Sequence, residues 1–418
     1  MTELTSTVDD RYLTDDHRML RDMVREFAVN EIEPIARELD RDARFPWENV
    51  AKMAELGLFG VPWPEKYGGV GMDTLASSIV SEELAKFCPS HSITVGANIT
   101  LAASPIYHFG NEEQKLKYLH KLATGEVLGA FGLTEPEAGS DAGGTQTRAE
   151  EKSDHWVLNG TKIFITNGGV GEIFVVTAVT GDENGRKEIS SFILTKPTRD
   201  MEEAKAVGVG HAEDLEYTPG FTHGKKEDKL GWRASDTTEL VFNDAIVPKE
   251  NMLGERGRGF KNFMSTLDGG RVSIAAHLLG IAEGALEYTL KFTKERVQFG
   301  TRICDFQGVR FDMADWWTRI EAGKHLTYHA AMLRHAGKPH TKEAAMAKLY
   351  CSELANWSTI KAVQFHGGYG YTTDYPVERL MRDARIGEIG EGTSEIQKTV
   401  IARHLLGAEQ TGKDVALW

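Results

Sequence analysis

The sequence predicts a multidomain α+β chain: an N-terminal α-helical domain, a middle β-barrel domain and a C-terminal α-helical bundle. Three observations carry that prediction. Apolar residues recur at helical spacing up to about residue 125 and again after Gly259. Between them lie short runs rich in β-branched and aromatic residues, broken by turn dipeptides. The 418 residues exceed what a single hydrophobic core organises, so two or three domains are needed. The limits expected from these changes of texture are 1–126, 127–250 and 251–418, the last a four-helix bundle.

In the first domain, Met19, Leu20, Met23, Val24, Phe27, Ile32 and Ile35 follow helical spacing over 14–39. Further helices are expected over 47–56, 75–87, 93–103 and 112–123, separated by Gly/Pro joints such as Gly60-Val61-Pro62-Trp63-Pro64. Strands are expected over 127–133, 156–158, 162–166, 173–179, 189–195 and 239–242, with Asn159-Gly160 and Asn167-Gly168 as turns. Helices return over 260–267, 271–296, 306–335, 342–365, 376–385 and 396–406, and the long third and fourth runs carry stripes suited to a bundle.

Composition narrows the function. The formal net charge of −14 disfavours a surface that tracks nucleic-acid phosphates. Cys88, Cys304 and Cys351 have no paired or metal-ligand spacing, so neither disulfides nor a metal is expected. The first ten residues are acidic without an apolar run, unlike a signal or transit peptide, and no stretch approaches the ~20 apolar residues of a membrane span. A cytoplasmic protein is the simplest expectation.

Five segments carry polar chemistry. Gly390-Glu391-Gly392-Thr393-Ser394-Glu395-Ile396-Gln397 sets one carboxylate between glycines that let the backbone bend and approach a bound group. Ser394 with Gln397 reads as a capping box for the last helix. Glu391 is then either a general base of fixed direction or a solvated loop acid. Phe131-Gly132-Leu133-Thr134-Glu135-Pro136 with Gly139-Ser140-Asp141 is an ordinary turn, or it offers N–H groups and the Thr134 and Ser140 hydroxyls to a polar ring or phosphate. The Asn159-Gly160 hairpin leads into a strand on which Phe164 is either core or the cover of a planar cofactor. Arg296, before Gln298 and Phe299, complements a helix dipole or reaches an anion. Gln364-Phe365-His366-Gly367-Gly368 is a helix stop, or a close approach to a diphosphate.

In this order, on an α–β–α background, these segments resemble the acyl-CoA dehydrogenase family over nearly the whole chain. The specific pair is Thr134-Glu135-Pro136 with Gly139-Ser140-Asp141, and residues 391–397; Leu380-Met381-Arg382-Asp383-Ala384 and the Val247-Pro248, Asn251, Leu253-Gly254 junction agree. The resemblance implies an FAD enzyme that removes an α-proton and a β-hydride from a saturated acyl-CoA in fatty-acid β-oxidation. It gives Glu391 the part of base. Phe131, Leu133, Thr134, Ser140, Phe164 and Thr166 match residues lining the flavin ring, and Thr393 and Glu395 residues near the flavin and its diphosphate. Arg296, Gln298, Phe299, Gln364, Gly367 and Gly368 match positions that reach a neighbouring subunit's FAD. Ser140, Asp268, Arg271 and Gly392 match substrate-binding positions. It further implies a homo-oligomer, as a tetramer, that hands electrons to an electron-transfer flavoprotein, with neither nucleic acid nor membrane as partner.

The enolate oxygen formed beside a thioester needs donors; in the family these are the base residue's own N–H and a flavin ribityl hydroxyl. Burial beside an acyl chain is expected to raise the pKa of Glu391 toward working pH. Some members place the base at the position of Gly270, and glycine cannot serve. Gly390 stands where many relatives have an aromatic residue, and Phe164 where many have Trp. Ser92 replaces the Arg of glutaryl-CoA dehydrogenases, which disfavours dicarboxylic substrates. Residues 199–218 look inserted and, being polar, read as a surface loop. Two rivals remain: an acyl-CoA oxidase using O2, and a non-catalytic flavoprotein binding nucleic acid, which the net charge disfavours.

Overall fold

The computed structural model describes residues 6–183 and 186–407; the outermost residues of the expected first and last domains, 1–5 and 408–418, lie outside that description. In the helical N-terminal part, α1 (Asp15–Phe27) starts at a Thr14 cap and buries Val24 and Phe27. The periodicity over 14–39 is not one helix. After Ile32 the chain turns at Glu33-Pro34-Ile35 and restarts as α2 (Ala36–Asp42), because Pro34 has no N–H to continue the ladder. Then come α3 (Trp47–Glu55), α4 (Thr74–Phe87) and α5 (Pro89–Gly96), which runs on as wider turns over Ala97–Ala103. Trp47, Phe59, Trp63 and Tyr118 fill the core these helices enclose.

Eight strands make one mixed sheet: β1 (Gly129–Gly132), β2 (Arg148–Glu151), β3 (His155–Thr166), β4 (Ile173–Glu183), β5 (Arg186–Thr195), β6 (Phe221–Lys226), β7 (Thr237–Pro248) and β8 (Met252–Leu253). The order is β6-β7-β3-β2-β4-β5-β8, with β1 parallel to β4. Asn159-Gly160 is not a hairpin turn. β3 runs straight through it with a bulge against β7, and Gly160 takes φ +148° where a Cβ would meet Thr147. A second bulge between Lys162 and Ile165 puts Phe164 at φ 58° and leaves it 63% exposed, so Phe164 is not core.

The 199–218 segment is no loose surface loop. It contains α6 (Met201–Val207), and Ala204, Ala212 and Leu215 are buried in the N-terminal core. The buried Glu172 carboxylate holds it, accepting from Ala212 N at 3.1 Å and Tyr217 Oη at 3.1 Å and pairing with His211 at 2.9 Å. Gly210, at φ 77°, lies flat on the Trp47 ring, where no side chain fits. Gly210→Ala is expected to cost about 2 kcal/mol or more, read as a melting temperature several degrees lower.

The C-terminal helices are α7 (Gly259–Glu295), α8 (Gln307–His335), α9 (Thr341–His366), α10 (Val377–Ala384) and α11 (Ser394–Leu406). Asp268-Gly269-Gly270 does not separate two helices, as the sequence suggested; α7 is continuous through it. Its glycines serve close packing. At Gly280 and Gly284 a Cβ would strike the Glu82 and Lys86 carbonyls, so α4 lies directly against α7. Lys86 and Lys324 neutralise Glu83 and Glu283 inside this contact, at 2.6–2.9 Å. Among the described residues no helix is long and apolar enough to cross a membrane.

Candidate active site

Glu391 sits on the turn between α10 and α11, at φ 54°. The turn is held from outside: Gln397 Nε2 donates to the carbonyls of Glu391 (3.2 Å) and Gly392 (2.8 Å), and Lys348 Nζ to that of Gly392 at 2.7 Å. Ser394 and Gln397 are therefore not a capping box. Thr393 is the N-cap, accepting from Ile396 N at 3.4 Å, and Ser394 is buried in the first turn. The expected substrate residue Gly392 has its carbonyl committed to these donors, and Glu395 projects outward.

The Glu391 carboxylate points at α7. A Cβ on Gly270 would lie 2.5 Å from its Oε2 and 3.2 Å from Leu101, so glycine makes room for the carboxylate. Oε2 is buried and has no hydrogen-bond partner among the described residues. Burial raises the Glu391 pKa to about 7, against the opposing pull of the Lys348 and Arg271 cations. Burial likewise brings Lys348 down to about 8, with Glu391 resisting. Arg271, buried one residue past Gly270, pairs with Asp268 at 2.6 Å, and Asp268 also accepts from Thr341 at 2.6 Å. A carboxyl group that can hold or release a proton near neutrality thus faces a seam beside a fixed ion pair.

The strand-end residues approach the same helix. Phe131 stacks on Phe263 of α7, with centroids 4.1 Å apart. That is about two turns, or ~10 Å, before Gly270. Leu133, Thr134 and Thr166 are half-buried and Ser140 is exposed, and the Thr134, Ser140 and Thr166 hydroxyls have no partner among the described residues. The loop is anchored from beneath. Glu135 accepts from Thr145, from Gln146 N at 2.5 Å and from Thr147 N at 3.1 Å, and pairs with the buried Lys162 at 2.7 Å. Burial works to raise the Glu135 pKa, but Lys162 and these donors hold it at about 2. Glu135→Gln strands Lys162 without an anion and is expected to cost about 3–5 kcal/mol, measurable as a lower urea midpoint.

A second cluster lies at the far end of α7, about 40 Å from Gly270. Arg296, Gln298, Gln364, Gly367 and Gly368 line a cavity of about 460 Å³ there. Gly367 takes φ 58°, and a Cβ on Gly367 or Gly368 would stand in open space, leaving backbone for a phosphate to approach. Phe299 is 97% exposed on the hairpin of β9 (Val297–Gln298) and β10 (Thr301–Arg302). These two surfaces fit the two ends of FAD: free hydroxyls and an exposed aromatic for the ring, a glycine cradle with Arg296 for the diphosphate. Their separation is too large for one chain to bring both to one cofactor.

Sequence reasoning missed Lys348 and Lys162, and gave Gln397 a capping role in place of its bonds to the Glu391 and Gly392 carbonyls. A signal existed for Lys348, which falls at helical spacing among Ala344, Ala345, Ala347 and Cys351 on a buried face. The Glu135–Lys162 pair forms only through strand pairing.

Three family models match the chain: the acyl-CoA dehydrogenase N-terminal domain over residues 14–126, the middle domain over 130–245 and the C-terminal domain over 257–406. The short-chain specific acyl-CoA dehydrogenase of Clostridium acetobutylicum is 52% identical over 93% of this chain and 98% of its own. The solved butyryl-CoA dehydrogenase of Megasphaera elsdenii superimposes with a TM-score of 0.88 at 45% identity, covering 94% and 99% of the two chains. A chain in a structure described as an electron transferring flavoprotein of Acidaminococcus fermentans gives 0.88 at 48% identity, covering 94% and 99%. The chain belongs to the acyl-CoA dehydrogenase family.

Proposed function

We propose that the protein dehydrogenates a saturated acyl-CoA to the trans-2-enoyl-CoA, with Glu391 taking the α-proton. The observation that carries this reading is the Glu391 carboxyl group: buried, with an unpartnered Oε2 and a pKa near 7. Oε2 receives the proton. Protonation removes a negative charge that the low-polarity seam stabilises less well than water does, so burial favours the neutral acid that forms. The Glu391 N–H would donate to the thioester oxygen where negative charge develops. Asp268 and Arg271 orient the substrate beside Gly270.

FAD, when bound, supplies the acceptor for the β-hydride. Phe131, Leu133, Thr134, Ser140, Phe164 and Thr166 would hold its ring side and Thr393 would lie near its diphosphate, whereas Glu395, which projects outward, is not placed to hold it. Arg296, Gln298, Phe299, Gln364, Gly367 and Gly368 would hold the diphosphate side of a neighbouring subunit's cofactor, which makes a homo-oligomer, as a tetramer, the working form. The family membership and the M. elsdenii and A. fermentans neighbours support an acyl-CoA substrate and an electron-transfer flavoprotein as the electron acceptor. Anaerobic addition of straight-chain acyl-CoAs is expected to bleach the flavin, with colour restored by electron-transfer flavoprotein and only slowly by air. Rapid re-oxidation in air would identify an oxidase; no bleaching by any acyl-CoA would overturn the assignment.

A further inference from the structure

One face of α7 carries Gly270, Ile274 and His277, each about one turn beyond the last. α5 and its continuation form the opposite wall: Leu101 faces Gly270, Gly96 faces Ser273, and Ser92 meets His277. The seam between these walls runs from the Glu391 carboxylate to His277, about 10 Å along the helix. At Gly96 the α5 wall contributes no side chain, and a Cβ there would come into ordinary contact with the Ser273 hydroxyl, at 3.4 Å.

Ser92 Oγ lies 2.7 Å from the Ser81 carbonyl, 2.9 Å from His277 Nδ1 and 3.0 Å from Ser81 Oγ; with its one proton given to the carbonyl, the shortest of the three contacts, it accepts from His277 Nδ1. His277 is therefore the Nδ1–H tautomer. Burial lowers its pKa to about 3, and the ring stays neutral. Nε2 is left with a lone pair, buried and without a partner among the described residues. The Trp232 ring stands edge-on to His277 with centroids 5.1 Å apart, and its Nε1–H is also buried and unpartnered. An orphaned acceptor and an orphaned donor thus sit on adjoining rings, an arrangement that costs free energy until something fills it. A single hydroxyl serves both, donating to Nε2 and accepting from Nε1–H. A methyl end serves neither, and a carboxylate brings no proton to Nε2.

We propose that His277 and Trp232 form a polar end-stop of the acyl channel that selects acyl groups carrying a hydroxyl at the end remote from the thioester. The proposal rests on the dehydrogenation reading and deepens it by naming a substrate class. The channel length suits a chain of about six to eight carbons.

The test compares flavin reduction by hexanoyl-CoA with 6-hydroxyhexanoyl-CoA, and octanoyl-CoA with 8-hydroxyoctanoyl-CoA, using the intact flavin-loaded protein. At one of the two lengths the hydroxyacyl substrate is expected to be favoured about tenfold or more in kcat/KM. That ratio, taken within each protein sample, is expected to collapse in His277→Leu, fall in Trp232→Phe and survive in His277→Gln, which keeps an acceptor. Should His277→Leu fail to fold, Trp232→Phe carries the test alone. A wild type that prefers the plain chain at both lengths overturns the proposal, as does a preference that survives undiminished in Trp232→Phe and in a folded His277→Leu. If the plain acyl-CoAs bleach the flavin and no hydroxyl preference is found, only this proposal falls. If none bleaches it, the dehydrogenation reading falls first.

Discussion

Glu391→Gln is expected to abolish flavin bleaching by acyl-CoA, a loss of about 10³-fold or more, while the protein stays folded and yellow. Glutamine keeps the size of the side chain. The contacts that shape the turn are made to the carbonyls of Glu391 and Gly392 by Gln397 and Lys348, so they survive the change. What disappears is a group able to accept a proton. Stability should move the other way at high pH. The folded pKa of Glu391 is raised from 4.5 to about 7, so the buried carboxyl costs nothing below the lower value and becomes a growing burden as pH rises from there through about 7. The melting-temperature difference, variant minus wild type, should therefore grow in the variant's favour across that interval and level off in mild alkali. A variant that lost its flavin, or melted lower at every pH, would show that Glu391 is mainly a structural residue.

Gly270→Ala is expected to lower kcat/KM by about 10²-fold without lowering the melting temperature. The new methyl would lie 2.5 Å from Glu391 Oε2 and 3.2 Å from Leu101, and α7 is continuous there and cannot yield. The carboxylate must move by about an ångström, the scale of misplacement that proton transfer does not tolerate. Alanine is the better helix former by about 1 kcal/mol, so a merely structural role for Gly270 predicts the opposite split, stability changed and activity kept. Stopped-flow flavin reduction beside thermal melts separates the two.

The three-part architecture and the Glu391 turn were legible because they are written locally. Periodicity marks the helices, and a glycine-flanked Glu marks the turn. The errors came where a local signal serves a distant contact. Asn159-Gly160 looks like a hairpin but is a bulge, because β3 must keep pairing with β7 while Gly160 clears Thr147. Asp268-Gly269-Gly270 looks like a helix break but is helix, its glycines leaving space for side chains of α8 and the Glu391 turn. Ser394 looks like a cap, yet Thr393 takes the position because Gln397 is drawn back to the Glu391 and Gly392 carbonyls. The insertion reads as polar loop, while Ala204, Ala212 and Leu215 dock in the N-terminal core with Val207, Val209 and Tyr217 packed against it. The Ser92–His277 contact joins residues 185 positions apart and had no signature in either segment.

The rate of anaerobic flavin reduction as a function of pH tests the central claim most directly. Glu391 must be ionised to take the α-proton, so the rate should fall with a single carboxyl limb as pH drops through about 7, and that limb should be missing from the residual activity of Glu391→Gln. A rate that stays level from mild acid to mild alkali, or a limb that persists unchanged in the Gln variant, would contradict it.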